Sequence, residues 1–426
     1  MKPSFIISCP IDTFSGYGAR SRDLVKAIIE TDKYDVKILP QRWGNTPWSF
    51  IEQHSEWHFL KSHILPSPNI DKQPDIWMQI TVPNEFQPVG KYNIGVTAGM
   101  ETNLVSGPWL EGCNRMNLVI TSSKFAKEVF QNSNYEVKNQ AGQLLKKLNL
   151  ETPIEVLFEG ANTEIYQPTN EIFDLSEIKE QFAFLFVGHW LQGDFGHDRK
   201  NVGFMIKAFL ETFKNKTNKP ALILKTSVTG ASMMDREEIQ KRISTIMDSV
   251  NSKNLPSIYL IHGDLNDEEI NCLYNHPKVK AMISLTKGEG FGRPLLEFSL
   301  SKKPIIATNW SAHTEFLNSE FCTLLPGNLE QVHKSAVVEN MILPDAKWFQ
   351  VDPGATGAAL KDMFENYKKY TDGAKRQAYR SKTEFSWDKM KEKLDNILSS
   401  NIPEFPKEVT LQLPKLQLPK LEKVNG

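Results

Sequence analysis

The sequence predicts an α/β protein built from two doubly wound parallel-sheet domains that face a cleft, with a closing helix near the C-terminus. Short apolar runs alternate with longer amphipathic stretches along most of the chain, the rhythm of a parallel sheet covered on both faces. That rhythm restarts at mid-chain, after EGANTEIYQP at 159–168. The length of 426 residues is enough for two or three domains and a large buried core.

In the first half, FIIS (5–8) reads as a strand, ARSRDLVKAIIE (19–30) as the helix behind it and YDVKILP (34–40) as the next strand. NLVITSS (117–123) leads into a helix over KFAKEVFQ (124–131). After the restart, FAFLFVG (182–188) is a strand and NVGFMIKAFLETF (201–213) its helix. ALILKT, SIYLIHG, KAMISLT and PIIATN repeat the pattern as short apolar runs closed by polar residues or glycine, as strands buried on both faces are. WDKMKEKLDNILSS (387–400) is the closing helix. The predicted domains are 1–168 and 169–400, followed by a tail, 401–426, in which LQLPK occurs twice in tandem. Its regular prolines forbid a helix and disfavour a central strand, so the tail reads as extended.

Composition excludes several classes. With 40% hydrophobic and 24% charged residues the chain is an ordinary globular protein. Its net charge of −1 gives no overall field towards nucleic acid or anionic lipid. Residues 1–165 carry 16 Lys and Arg against 18 Asp and Glu. The cysteines Cys9, Cys113, Cys272 and Cys322 form no CxxC, which points to a reducing compartment without a zinc site. The apolar run in MKPSFIISCPID is too short for a signal peptide. No stretch approaches the roughly 20 apolar residues of a membrane span. The expectation is a cytoplasmic protein.

The chemistry concentrates in GEGFGRPLLE, 288–297. KAMISLT ends a strand at Thr286, and a helix is predicted from Pro294 because proline suits the first helical position. The segment between is a loop at the carboxyl end of a parallel strand, where open α/β sheets bind ligands. Gly288, Gly290 and Gly292 remove every second side chain, which lets backbone amides approach a ligand at a helix N-terminus. Glu289 projects from the loop and Glu297 falls in the first helical turn. Eight helical residues span roughly 12 Å, too far for a glycosidase pair at about 5–9.5 Å. Two carboxylates gripping two ends of an extended ligand fit better.

This context, strand then GEGFGRP then helix then KKPIIATN, resembles the retaining GT-B glycosyltransferases of the family 4 type, with their E-x7-E signature. The resemblance covers roughly residues 1–395 and includes a phage-type membership among its readings. SGYGARSRDLV resembles the glycine-rich first loop, with Gly16 and Gly18. GMETNLVSGPWLEGCNRMNLVITSSKFAKEVF, VLFEGANTEIYQP, FLFVGHWLQGDFGHDRKNVGFMIKAF and TNWSAHTEFL follow in the family's order. The resemblance implies two Rossmann-like domains, an acceptor-side one and a donor one. It implies a nucleotide-sugar donor and no separate cofactor. It implies that Glu289 contacts the sugar and Glu297 the ribose, with the backbone around Phe291, Gly292, Arg293, Pro294 and Leu295 at sugar or diphosphate. Gly263, after SIYLIH, joins the donor-binding set.

Releasing a diphosphate needs fixed positive charge. HDRKN places Arg199 and Lys200 before a helix, and ALILKT places Lys225 at a strand end. Lys200 and Arg199 are therefore grouped with Glu289 as catalytic candidates, and Lys225 as donor-binding. Asp12, Glu101 and His313 are polar loop groups that could reach the cleft, although a lone histidine is more often structural. Neither a metal cluster nor a Walker loop is evident, and GYGARS departs from G-x-G-x-x-G. No metal site is expected, with Asp194, Asp198 and Asp264 as the ligands to suspect otherwise. The acceptor is a hydroxyl on a glycan, protein, small molecule or modified DNA. The competing readings are the same transfer onto a hydroxylated DNA base and a non-catalytic nucleotide-sugar-binding protein.

Overall fold

The computed structural model describes residues 2–139, 141–228 and 232–406. The LQLPK repeat lies outside the described residues. In the first half, β1 (Ser4–Cys9), β2 (Asp35–Pro40), β3 (Ile76–Ile80), β4 (Tyr92–Thr97), β5 (Leu118–Thr121) and β8 (Ile154–Val156) form one parallel sheet in the order β2-β1-β3-β4-β5-β8. A hairpin of β6 (Tyr135–Lys138) and β7 (Leu144–Leu148) stands outside it. The helices here are α1 (Gly16–Glu30), α2 (Phe50–Gln53), α3 (Gly107–Cys113) and α4 (Lys124–Asn132).

In the second half, β9 (Ala183–Val187), β10 (Ala221–Lys225), β11 (Ile258–Ile261), β12 (Val279–Ser284), β13 (Ile305–Thr308) and β14 (Thr323–Leu325) give the order β11-β10-β9-β12-β13-β14, again all parallel. The helices are α5 (Val202–Phe213), α6 (Met233–Asp248), α7 (Asp267–Asn275), α8 (Arg293–Ser299), α9 (Pro353–Glu365), α10 (Thr371–Glu384) and α11 (Trp387–Asn401). Both sheets are apolar on both faces because each is sandwiched by helices. Phe184, Phe186, Leu222 and Leu224 pack against α5 and α6 on one side. Ala183, Leu185, Ile223 and Met282 pack under α7 and α8 on the other. Among the described residues no helix is long and apolar enough to cross a membrane.

The two halves are joined twice. Ala161 on the outward strand of chain and Phe385 to Trp387 on the return exchange backbone hydrogen bonds (Ala161 N–H to Phe385 O, 3.0 Å; Trp387 N–H to Ala161 O, 2.8 Å). The returning chain then forms α11, whose Met390, Leu394 and Leu398 complete the core around Phe5, Leu24 and Ile28 of the first sheet. A segment between β14 and α9 was not read as an element from the sequence. It forms an antiparallel hairpin, β15 (Gly327–Gln331) with β16 (Lys347–Val351). It reaches the first half: Asn103 N–H bonds Lys347 O at 3.0 Å, and Lys347 N–H bonds Asn103 Oδ1 at 2.6 Å.

Strand order positions the site. In the second sheet the chain winds one way from β9 to β11 and the other way from β12 to β14, so β9 and β12 flank the topological switch point. Open α/β sheets bind ligands in the crevice beyond such strands. Arg199 and Lys200 lie on the loop after β9, and Glu289 on the loop after β12.

Candidate active site

Glu289 is 6% exposed, and its carboxylate is gripped from the neighbouring loop. Lys200 Nζ pairs with Oε1, and Arg199 Nη1 lies 3.4 Å from Oε2. Burial pushes the Glu289 carboxyl up, but Lys200 and Arg199 outweigh it and bring it down to about 2, so it is ionised throughout the neutral range. Its backbone is fixed as well, since Glu289 N–H donates to Ser311 Oγ at 2.9 Å.

Arg199 donates to Gly288 O at 3.1 Å and lies 3.9 Å from Glu101 of the first half. Its carbonyl accepts the Lys287 N–H at 2.8 Å, which ties the two loops of the switch point together. Lys287 is itself buried, with Nζ bonded to Gln350 Oε1 on β16, and burial draws it down to about 8. No local pattern marks it, because a lysine beside a glycine loop reads as surface. Lys225 is half-buried at the end of β10 and lowered by burial, with Asp264 opposing. His189 is exposed at the surface, with Nδ1 3.0 Å from Ser227 Oγ, yet the protein mass around its ring and then Lys200, Lys225 and Arg199 push it down.

The glycines serve a different purpose from the one their spacing suggests. A Cβ at Gly288 would sit 1.9 Å from the Glu101 carbonyl oxygen, and one at Gly290 2.2 Å from that of Ala98. Backbone from the first half occupies the space the missing side chains leave, and Ser122 Oγ lies 2.8 Å from Gly290 O. Close approach is used for domain-to-domain packing here. Gly292 caps α8 at φ +98°, a left-handed conformation that favours glycine. The helix therefore starts at Arg293 rather than Pro294, and Glu297 lies in its second turn rather than its first.

That shift matters because it places Glu297 one turn beyond Arg293. Arg293 Nε donates to Glu297 Oε1 at 2.6 Å, and Arg293 Nη1 donates to Asp23 Oδ2 of α1 at 2.6 Å. Glu297 is 7% exposed, and burial with Asp267 nearby raises it to about 7 despite Arg293. Asp23 lies mid-helix 270 positions earlier, and no local pattern marks it.

The remaining candidates separate. Phe291 and Leu295 point into the apolar core, so only their backbone is available to a ligand. Pro294 is half-buried beside them. Gly16, at the N-terminus of α1, has open space where a side chain would be, whereas Gly18 packs its α-carbon against Thr13, with a Cβ only 2.3 Å from Thr13 O. Gly263 follows β11 at φ +123° in open space. His313 is fully buried instead of facing the cleft: Nε2 lies 2.6 Å from Thr308 O and Nδ1 3.4 Å from Ser311 Oγ, so it supports the serine that holds Glu289. Asp12 accepts the Ile51 N–H at 2.6 Å and anchors α2. Glu101 lies against Arg199 of the cationic cluster. Asp198 caps α5 through Val202 N–H at 3.0 Å. Among the described residues no group of three or more His, Cys, Asp or Glu is arranged to hold a metal ion.

No protein-family model matches the chain, and no curated protein matches it. Solved structures do. A glycosyltransferase from Rickettsia africae ESF-5 aligns over 94% of this chain and 98% of its own, with a TM-score of 0.63 and 14% identity. Anabaena Alr3699/HepE in complex with UDP-glucose aligns over 93% and 100%, with a TM-score of 0.60 and 12% identity. Sucrose-phosphate synthase (tll1590) from Thermosynechococcus elongatus aligns over 94% and 99%, also at 0.60 and 12%. At such identities the likeness shows the fold, and that fold is GT-B: two doubly wound α/β domains about a cleft.

Proposed function

We propose that the chain is a retaining glycosyltransferase that moves a sugar from a nucleotide-sugar donor to a hydroxyl acceptor. One observation carries the reading. At the switch point of the second sheet a buried, ionised carboxylate, Glu289, is held between Lys200 and Arg199. A departing diphosphate gains negative charge as the glycosidic bond breaks, and preorganised cations in a water-poor site stabilise that charge most effectively. Lys200, Arg199 and Lys225 take this part. Glu289 meets the sugar hydroxyls, and Glu297 accepts from the ribose diol.

Among the described residues Glu289 is bonded to cations and to no second carboxylate that could serve as a nucleophile, and Glu101 of the facing half lies against Arg199. The reading is therefore same-face attack, in which the leaving phosphate takes the acceptor's proton and the anomeric configuration is kept. Charge on that phosphate is met by side chains and not by a divalent cation, so transfer continues in excess EDTA.

Because the HepE neighbour was solved with UDP and glucose and with UDP-glucose, UDP-sugars are the first donors to try. A panel of nucleotide-sugars is screened by thermal shift, and donors that bind are followed for hydrolysis and transfer, with and without EDTA, the anomeric product being read by NMR. A bound donor that is cleaved with retention supports the reading. Binding without cleavage would make the protein a nucleotide-sugar sensor, and loss of cleavage in EDTA restored by manganese would move the chemistry to a metal.

A further inference from the structure

Arg293 does not present a free guanidinium to the cleft. Its side chain is 19% exposed and is committed along two edges, Nε to Glu297 on its own helix and Nη1 to Asp23 on α1 of the opposite half. The side chains of Glu297 and Asp23 are 8% and 10% exposed. One side chain therefore orients a candidate ligand-binding carboxylate and, with the same planar group, spans the cleft.

Charge makes this arrangement consequential. Asp267 and Tyr274 on α7, Tyr166 in the connecting segment and Asp23 on α1 all face Glu297, Arg293 is the cation bonded to it, and Arg20 and Arg22 of α1 act on Arg293 and Asp23 from the facing half. Tyr166 donates to Asp267 Oδ1 at 3.0 Å, which holds that second carboxylate in place. A buried carboxyl among anionic and phenolic neighbours protonates unless a cation is fixed beside it. A diol donates two hydrogen bonds to a carboxylate, and a protonated carboxyl loses acceptor capacity. The tie is not sealed in solid packing: a cleft of about 540 Å³ opens beside it, lined by Arg22, Asp23, Asn162, Asp267, Arg293 and Trp387.

We propose that Arg293 is the positioning residue for Glu297, and that the same guanidinium, through its separate grip on Asp23, holds the two halves closed over the cleft. The proposal rests on reading Glu297 as the ribose-binding group. Only arginine offers two separate N–H edges in one rigid plane, so lysine keeps the charge but cannot serve both partners. Asp23 acts at one remove: it holds Arg293, and it also opposes the ionisation of Glu297, as a like charge does.

The two partners are tested by opposite signs. Binding of UDP, ADP and GDP to the full chain is measured by calorimetry from pH 6 to 9 for wild type, Arg293→Met, Arg293→Lys and Asp23→Asn, and the radius of gyration of each unliganded chain by X-ray scattering. For whichever diphosphate binds wild type, Arg293→Met lowers affinity about 10- to 100-fold at pH 7, the scale of a lost hydrogen bond to a charged group. It also moves the pH below which affinity is lost upward, and Arg293→Lys lies between. Asp23→Asn moves that midpoint downward, because a like charge has gone, and enlarges the unliganded chain. Unchanged affinity and midpoint in Arg293→Met, or a midpoint in Asp23→Asn that moves upward, overturns the positioning role. An unchanged radius in both Asp23→Asn and Arg293→Met overturns the closure role. If none of the three diphosphates binds wild type, the ribose reading of Glu297 falls and the positioning role with it, while the closure role is decided by scattering alone.

Discussion

Glu289 and Glu297 lie on one loop and helix, are both more than nine-tenths buried, and are driven in opposite directions, to about 2 and about 7. Burial pushes both up. Glu289 is met by two cations from a loop of its own sheet, Lys200 and Arg199, and they reverse the effect of burial. Glu297 meets one cation, shared with Asp23, and has Asp267 as a further negative neighbour. Inaccessibility therefore does not set the state of a carboxyl; the number and commitment of its cationic partners does. The cations that hold Glu289 both come from its own half. The Glu297 site is completed by the other half.

The largest way to break the comparison is at Glu289 itself. Glu289→Gln leaves two nearly buried cations without their carboxylate, and breaking a buried pair from one side costs about 3–5 kcal/mol. Denaturant unfolding at pH 7 should show that loss. A carboxylate depressed in the folded state adds stability above its ordinary 4.5, and this is lost as pH falls towards 2, so wild type and variant should converge across that window. Glu297 has the opposite sign. Raised from 4.5 to about 7, it costs stability as pH rises through that interval, so Glu297→Gln should be no less stable than wild type at pH 8.

Lys200→Ala tests the cationic side. If Lys200 stabilises the leaving diphosphate as an oxyanion donor does, turnover falls about 10²- to 10³-fold. A loss of less than fivefold in a steady-state assay would place that charge on Arg199 or Lys225. Gly290→Ala tests the seam between the halves. Its new Cβ would lie 2.2 Å from the Ala98 carbonyl, and overpacking of this kind costs about 1–3 kcal/mol. The expected outcome is a larger radius of gyration and weaker donor binding. The smallest effect is on pH: donor affinity should fall up to about tenfold per unit as pH drops below about 7, as Glu297 protonates.

Most of the fold was legible in the sequence because buried parallel strands are short apolar runs, and each observed strand of the second sheet up to β13 coincides, to within one residue at its start, with a run read as one. FIIS and KAMISLT needed no tertiary information. The hairpin of β15 and β16 was not legible, since GNLEQ is largely exposed and polar and its partner KWFQV pairs across a long loop. In the site, local context brought Glu289, Arg199 and Lys200 forward, and the structure brings them together. Context misassigned Gly288 and Gly290, whose constraint comes from carbonyls of Glu101 and Ala98 far away in sequence. Arg293 was visible as part of a motif, but its work was not, because Asp23 sits in an unremarkable helix.

The central claim is that two buried glutamates divide the donor between them. It is tested most directly by steady-state kinetics of Glu289→Gln and Glu297→Gln, with the donor wild type turns over best and folding at the assay temperature checked by circular dichroism. The account predicts that Glu289→Gln lowers kcat strongly with donor KM within a few-fold, whereas Glu297→Gln raises donor KM and largely retains kcat. Equal losses in both constants for both variants would contradict it.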